Sequence, residues 1–258
     1  MRTHNPANEQ GRCGIWLLVA LLCAGAQCTT ARAEDAPKDK AGYSLFNPTP
    51  DEKLRSFSTD RPTKSNVAYT VDAGRFQYEM DLINAYYKQV GSTSTHSITG
   101  PNPWLKVGIT NSIDFEINTP APQTIEVRDT MSNLSTKASG FNDMFLRAKI
   151  NLWGNDGGKS AFAIIPNLKI PTAATGLGNG AVEGGVISAL SFNLPGGTTL
   201  LFNGEIDSFK NLNASGYHAN AIGLVNLSRE VAKDVTGYLE FWANDNYDPV
   251  RTIHQKST

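Results

Sequence analysis

Between Phe141 and Trp153 every second residue is apolar. Met144, Leu146, Ala148, Ile150 and Leu152 form one set; Asp143, Arg147, Lys149 and Asn151, with Phe145 among them, form the other. A period of two over this length specifies a strand with one apolar and one polar face. Strands of soluble sheets average about 5–6 residues, whereas a strand crossing a bilayer needs roughly 9–11. This one is long enough to cross. Asn155-Asp156-Gly157-Gly158 then supplies a tight turn, because Asn, Asp and Gly accept positive φ. A second long strand runs from Ser160 to Ile170, with Phe162, Ile164, Leu168 and Ile170 on one face and Ala163, Ile165, Asn167 and Lys169 on the other. Pro166 cannot donate to a ladder, which predicts a bulge or kink within it.

The rest of the chain repeats this unit. A first strand runs from Gly74 to about Tyr87, with Phe76, Tyr78, Met80, Leu82 and Tyr86 on its apolar face, and a long polar loop follows, ending at Gly100-Pro101-Asn102-Pro103. The second strand carries Leu105, Val107 and Ile109; a short turn at Thr110-Asn111-Ser112 leads to the third, with Ile113, Phe115 and Ile117. A second long polar loop spans about residues 120–139, and the opening hairpin supplies strands four and five. After Pro171 and a Gly-rich loop, strands six to nine cover about 181–193, 198–209, 216–228 and 235–244. Connections alternate between long and short, the last pair least strongly. Outer-membrane barrels show this asymmetry, with short periplasmic turns and longer external loops. The pattern predicts an all-β fold: an antiparallel up-and-down transmembrane β-barrel with about nine strands visible.

The N-terminus fits an exported chain. Arg2 and Arg12 precede an apolar run from Ile15 to Gly25, and Ala31-Arg32-Ala33 is an A-x-A cleavage site. These are the parts of a secretory signal peptide at residues 1–33, cut after Ala33 or after Ala26. Cys13, Cys23 and Cys28 all lie in that leader, so the mature chain takes no stability from disulfides. Residues 34–73 are polar and Pro-rich, a periplasmic arm or a segment tucked into the barrel mouth; 74–258 form the barrel. With a formal net charge of -1, the chain lacks the basic surplus of a nucleic-acid binder.

If the apolar sets face lipid, the lumen receives Glu79, Asp81, Lys106, Asp114, Glu116, Asp143, Arg147, Lys149, Lys169, Glu183, Glu205, Asp207 and Glu240, all on the polar parity of their strands. A basic residue at mid-depth on the lipid face would cost up to about 2–4 kcal/mol. Tyr86, Tyr87, Trp104, Trp153, Tyr217 and Trp242 sit near strand ends, where interfacial aromatic girdles form. The candidates for a transport path are Asp60, Arg61, Glu79, Asp81, Asp143, Arg147, Lys149, Lys169, Glu205, Asp207 and Glu240. Asp60-Arg61, just before Pro62, forms a small charged clip that plugs or gates the path; the plainer alternative is a solvated turn.

Catalytic and metal signals are weak. His4, His96, His218 and His254 have no ligand spacing, and Gly216-Tyr217-His218-Ala219-Asn220 lacks the nearby Ser of outer-membrane phospholipases. Gly176-Leu177-Gly178-Asn179-Gly180 lacks the GK[ST] ending of a phosphate loop and reads as a flexible external loop. No enzyme activity, metal or cofactor is expected.

Phe57-Ser58-Thr59-Asp60-Arg61-Pro62, then Val71-Asp72-Ala73-Gly74-Arg75-Phe76-Gln77-Tyr78-Glu79, the Phe141–Trp153 strand and Pro166-Asn167-Leu168-Lys169-Ile170-Pro171-Thr172 resemble the transporters named after the meta-cleavage pathway of phenol degradation. The resemblance covers about residues 57–248. It implies an outer-membrane barrel for uptake of hydrophobic or aromatic compounds, and brings no substrate residues with it. Members of that family continue through further strands to a terminal aromatic residue, whereas this chain stops at Gln255-Lys256-Ser257-Thr258, so a C-terminally truncated barrel is expected. The expected function is an outer-membrane channel or passive transporter for such compounds in a Gram-negative bacterium. Its partners would be outer-membrane lipid, a small solute and the barrel-assembly machinery. The alternative is a non-transporting structural or ligand-binding periplasmic β-protein.

Overall fold

The computed structural model describes residues 39–211, 214–233 and 235–249. The leader at 1–33 and the chain end at 255–258 lie outside the described residues. Among the described residues, apart from one 3-10 turn at Asp51–Lys53, the named elements are all strands. Nine strands build one antiparallel sheet in the order β1 (Phe76–Asp81), β4 (Asn102–Gly108), β5 (Ile113–Asn118), β8 (Met144–Trp153), β9 (Ser160–Ile170), β10 (Glu183–Leu194), β11 (Thr198–Lys210), β12 (Tyr217–Ala232) and β13 (Val235–Asn246). Among the described residues β1 and β13 are its two edges, so the ladder is open between them.

A second, four-stranded sheet has the order β2 (Asn84–Val90), β3 (Thr93–Thr99), β6 (Pro122–Asp129), β7 (Leu134–Phe141). It corrects the sequence reading. The stretches assigned as long polar loops near 88–103 and 120–139 are strands, and the first long strand breaks at Leu82-Ile83. Each break is short: β3 passes into β4 across Gly100-Pro101, and β5 into β6 across Thr119-Ala121. The second sheet therefore continues the first hairpins beyond the wall. Thr93-Ser94-Thr95-His96-Ser97 pairs through its backbone without an apolar face, and apolar periodicity cannot reveal such a strand.

The alternation of connections survives in space. The turns β4–β5, β8–β9, β10–β11 and β12–β13 are short and share one end of the sheet; the hairpin extensions, the 171–182 loop, the end of β11 at Lys210 and the start of β12 at Tyr217 share the other.

The two faces differ as the parity requires. On one face Phe76, Tyr78, Leu105, Leu168, Val186, Ile206, Leu239 and Phe241 are exposed. On the other, Lys106, Asp114, Glu116, Lys149, Asn151, Asp207, Asn220 and Asn226 are buried beside Ala163, Ile165, Ile187 and Ala189. The covered face is thus the polar one.

Three details depart from expectation. The β9–β10 register runs unbroken through Pro166, opposite Val186; the bulge lies on β8 between Asn151 and Trp153. That extra residue, Leu152, switches the parity and turns Trp153 to the apolar face, where it stacks on Phe162 with ring centres 4.8 Å apart. Trp104 and Trp242 are not girdle residues. Trp104 is buried on the covered face, and Trp242 shares the parity of Glu240, with the Lys64 ammonium 5.2 Å above its ring.

Candidate functional site

What covers the polar face is residues 55–72. This segment has no ladder partners, so its backbone N–H groups need acceptors from elsewhere. The wall supplies them from side chains. Glu79 accepts from the Asp60 N–H at 3.2 Å; Glu240 accepts from Lys64 and Ser65 at 3.0 and 3.1 Å. Asn203 takes the Asn66 N–H at 2.6 Å, Asn155 the Thr70 N–H at 3.0 Å, and Asp114 the Val71 N–H at 2.8 Å. Asn151 and Asn203 donate back to the carbonyls of Ala68 and Asn66. The segment rises from the short-turn end, turns over at 60–66 and returns to begin β1. Because it bonds both β1 and β13, the sheet curls around it. Gly108 makes the return possible, since a Cβ there would collide with the Asp72 carbonyl.

At the loop tip lies a buried ionic cluster. The Lys149 ammonium sits 3.0 and 3.3 Å from the two oxygens of Asp60, and Lys106 donates to the same carboxylate. Lys106 also pairs with Glu79 at 2.8 Å and Glu116 at 3.6 Å, and Lys149 with Glu116 at 3.4 Å. All five groups are at most 7% exposed. Asp60 and Arg61 do not form a clip with each other, nor a solvated turn. Arg61 turns away to Asp81 at 3.1 Å, and the Arg61-Pro62 peptide is cis. Trp104 stands beside them, with the Arg147 guanidinium 4.3 Å and that of Arg61 5.8 Å from its ring. Arg147 also donates to Asn66 at 3.2 Å. The hollow left among these groups is only about 10 Å³, about the size of one water.

The remaining candidates separate. Lys169 pairs with Asp143 at 3.4 Å and Glu183 at 2.7 Å, a group at the long-loop end. There Asp143 accepts the Ala173 N–H and Asn179 joins Lys169, so the Gly-rich loop is pinned to the wall by both. Asp207 lies opposite Asn220; Glu205, two residues before it, acts through its charge on Arg147 at the loop tip. Sequence reasoning assigned Lys106, Asp114 and Glu116 to the covered face but did not single them out. It missed a second clamp altogether. At the short-turn end, Lys40 pairs with Asp72 at 3.1 Å and Asp156 at 2.8 Å, while Arg55 reaches Asp156 at 2.9 Å and donates to Asn111. Burial pushes the Asp156 carboxyl up, but the hydrogen bonds from Asn111 and Lys40 and the charge of Arg55 outweigh it and hold it below its ordinary 3.8. No spacing in the sequence links these five residues.

No curated protein and no solved structure matches the chain. One family model does, over residues 59–252, from the loop tip through the last described strand. That span includes every group of the buried cluster, and by it the chain belongs to the family described as the MetA-pathway of phenol degradation.

Proposed function

We propose that the chain forms the wall of an outer-membrane β-barrel that passes small hydrophobic or aromatic solutes, with residues 55–72 as an internal plug. The observation that carries this reading is the inversion of the two faces. Ion pairs and amides are buried, while Phe76, Ile206, Leu239 and Phe241 are 58–81% exposed. A water-soluble sheet that displayed such a band would aggregate. In lipid the same band is satisfied, and a spanning sheet must close because unpaired backbone groups cannot face hydrocarbon. Curling around one shared loop brings β1 and β13 towards that closure. The family description, phenol degradation, supports an aromatic solute. The buried cluster serves to hold a loop, and passage rather than catalysis is the reading it supports.

The test is fractionation of the full chain, gel migration before and after boiling, and solute-driven swelling of proteoliposomes. We expect membrane association, faster migration of the unboiled form, and uptake of phenolic solutes. A soluble chain whose migration ignores heat would overturn the barrel; an intact barrel passing neither phenolic nor sugar solutes would overturn the channel.

A further inference from the structure

Asp60 is the one acid of the tip cluster that belongs to the loop; Glu79, Glu116 and both lysines belong to the wall. Its carboxylate is bound as a ligand would be, between the Lys106 and Lys149 ammoniums. Beside it stands an aromatic surface with unmet donors. The Trp104 indole N–H and the Arg147 Nε are buried without a hydrogen-bond partner, and both residues line the small cavity that Asp60 also lines. The wall by itself sets Lys106, Lys149 and Arg147 against Glu79, Asp114, Glu116 and Glu205, the last facing Arg147. Withdrawing the loop therefore leaves no cationic excess, but leaves two ammoniums short of one acceptor next to a flat aromatic ring. That vacancy suits a single carboxylate or phenolate with an apolar body, and it rejects a polyanion.

We propose that Asp60 holds the place of a solute's acid group, and that a small aromatic carboxylate or phenolate binds at Lys106, Lys149 and Trp104 by displacing the loop tip. The plug is then a tethered competitor, and the solute opens its own path. This rests on the reading of 55–72 as a plug. A site filled by a competing group binds with an affinity reduced by the fraction of time it is free, so removing the Asp60 charge strengthens solute binding.

The test uses the full chain in micelles, with Trp16→Phe, Trp153→Phe and Trp242→Phe so that Trp104 is the remaining tryptophan. Benzoate, benzamide and benzylamine are titrated. We expect benzoate to bind at least about tenfold more tightly than the other two, and Asp60→Asn to tighten benzoate by about tenfold again. Lys149→Gln should erase the preference for benzoate over benzamide. Equal affinity for benzoate and benzamide, or no effect of Asp60→Asn, would overturn the proposal. Should Asp60→Asn fail to fold, Ser65→Cys in an otherwise unaltered loop, with Cys13, Cys23 and Cys28 replaced by Ser, gives a second readout. Benzoate, and not benzamide, should speed its reaction with a maleimide; a rate indifferent to benzoate sinks the idea. A heat-modifiable barrel that passes phenol without any benzoate preference would keep the channel and remove this inference; a chain that never closes removes both.

Discussion

Lys149 is 1% exposed and faces both Asp60 and Glu116. Removing one partner of a buried ion pair leaves the others charged and dry, at a cost of roughly 3–5 kcal/mol. We therefore expect Lys149→Met to lower stability by about that much in urea unfolding, and to expose the loop tip to proteolysis. Asp156 gives a pH-dependent counterpart outside the wall. Its folded carboxyl holds a proton less tightly than the unfolded one, so its contribution is complete above about pH 4 and is lost as pH falls through the depressed folded value. A fluorophore at Phe46→Cys, an exposed position on the arm, should lose anisotropy below that pH. In Asp156→Asn it should be mobile already at neutral pH and show no step. The faces of such residues were legible from parity; their partners were not. Glu79 and Glu240 read as lumen charges because alternation reports only which side a residue takes. Their acceptor role depends on a loop about 20 to 180 residues away in sequence, as the Asp60–Glu79 and Lys64–Glu240 bonds show.

At the level of elements, the β2-β3-β6-β7 extension makes its ladders within itself and continues those of the wall. Replacing 84–99 by a two-residue turn should leave the β1–β4 register intact and preserve heat-dependent migration; loss of that migration would show that the extension braces the wall. Eight of the nine wall strands were legible within about four residues, from apolar residues in period two; the first was read on to about Tyr87, past its end at Asp81 and into β2. The extension was not, because Gly100-Pro101 and Pro122 signal breaks and β3 is built of Thr, Ser and His. The bulge was misplaced for a related reason. Pro166 announces a missing donor, whereas Leu152 carries no local mark, and only the stacking of Trp153 on Phe162 reveals the slip.

For the molecule as a whole, the decisive variable is the medium around the apolar face. Val225 lies mid-strand on β12, paired with Phe202 and Phe241. Val225→Lys should cost about 2–4 kcal/mol for folding into lipid vesicles, measured by urea titration. An aqueous surface substitution would stay within about 0.5 kcal/mol, and that smaller value would speak against the membrane reading. The loop's position has a further consequence, for the order of folding. Residues 55–72 precede every wall strand in the chain, yet their partners Asn203 and Glu240 lie 137 and 176 residues on. Such distant pairings close late and slowly. The loop is then a mandrel on which the sheet is wound, strand by strand in chain order, and the last turns of the winding lock it in place.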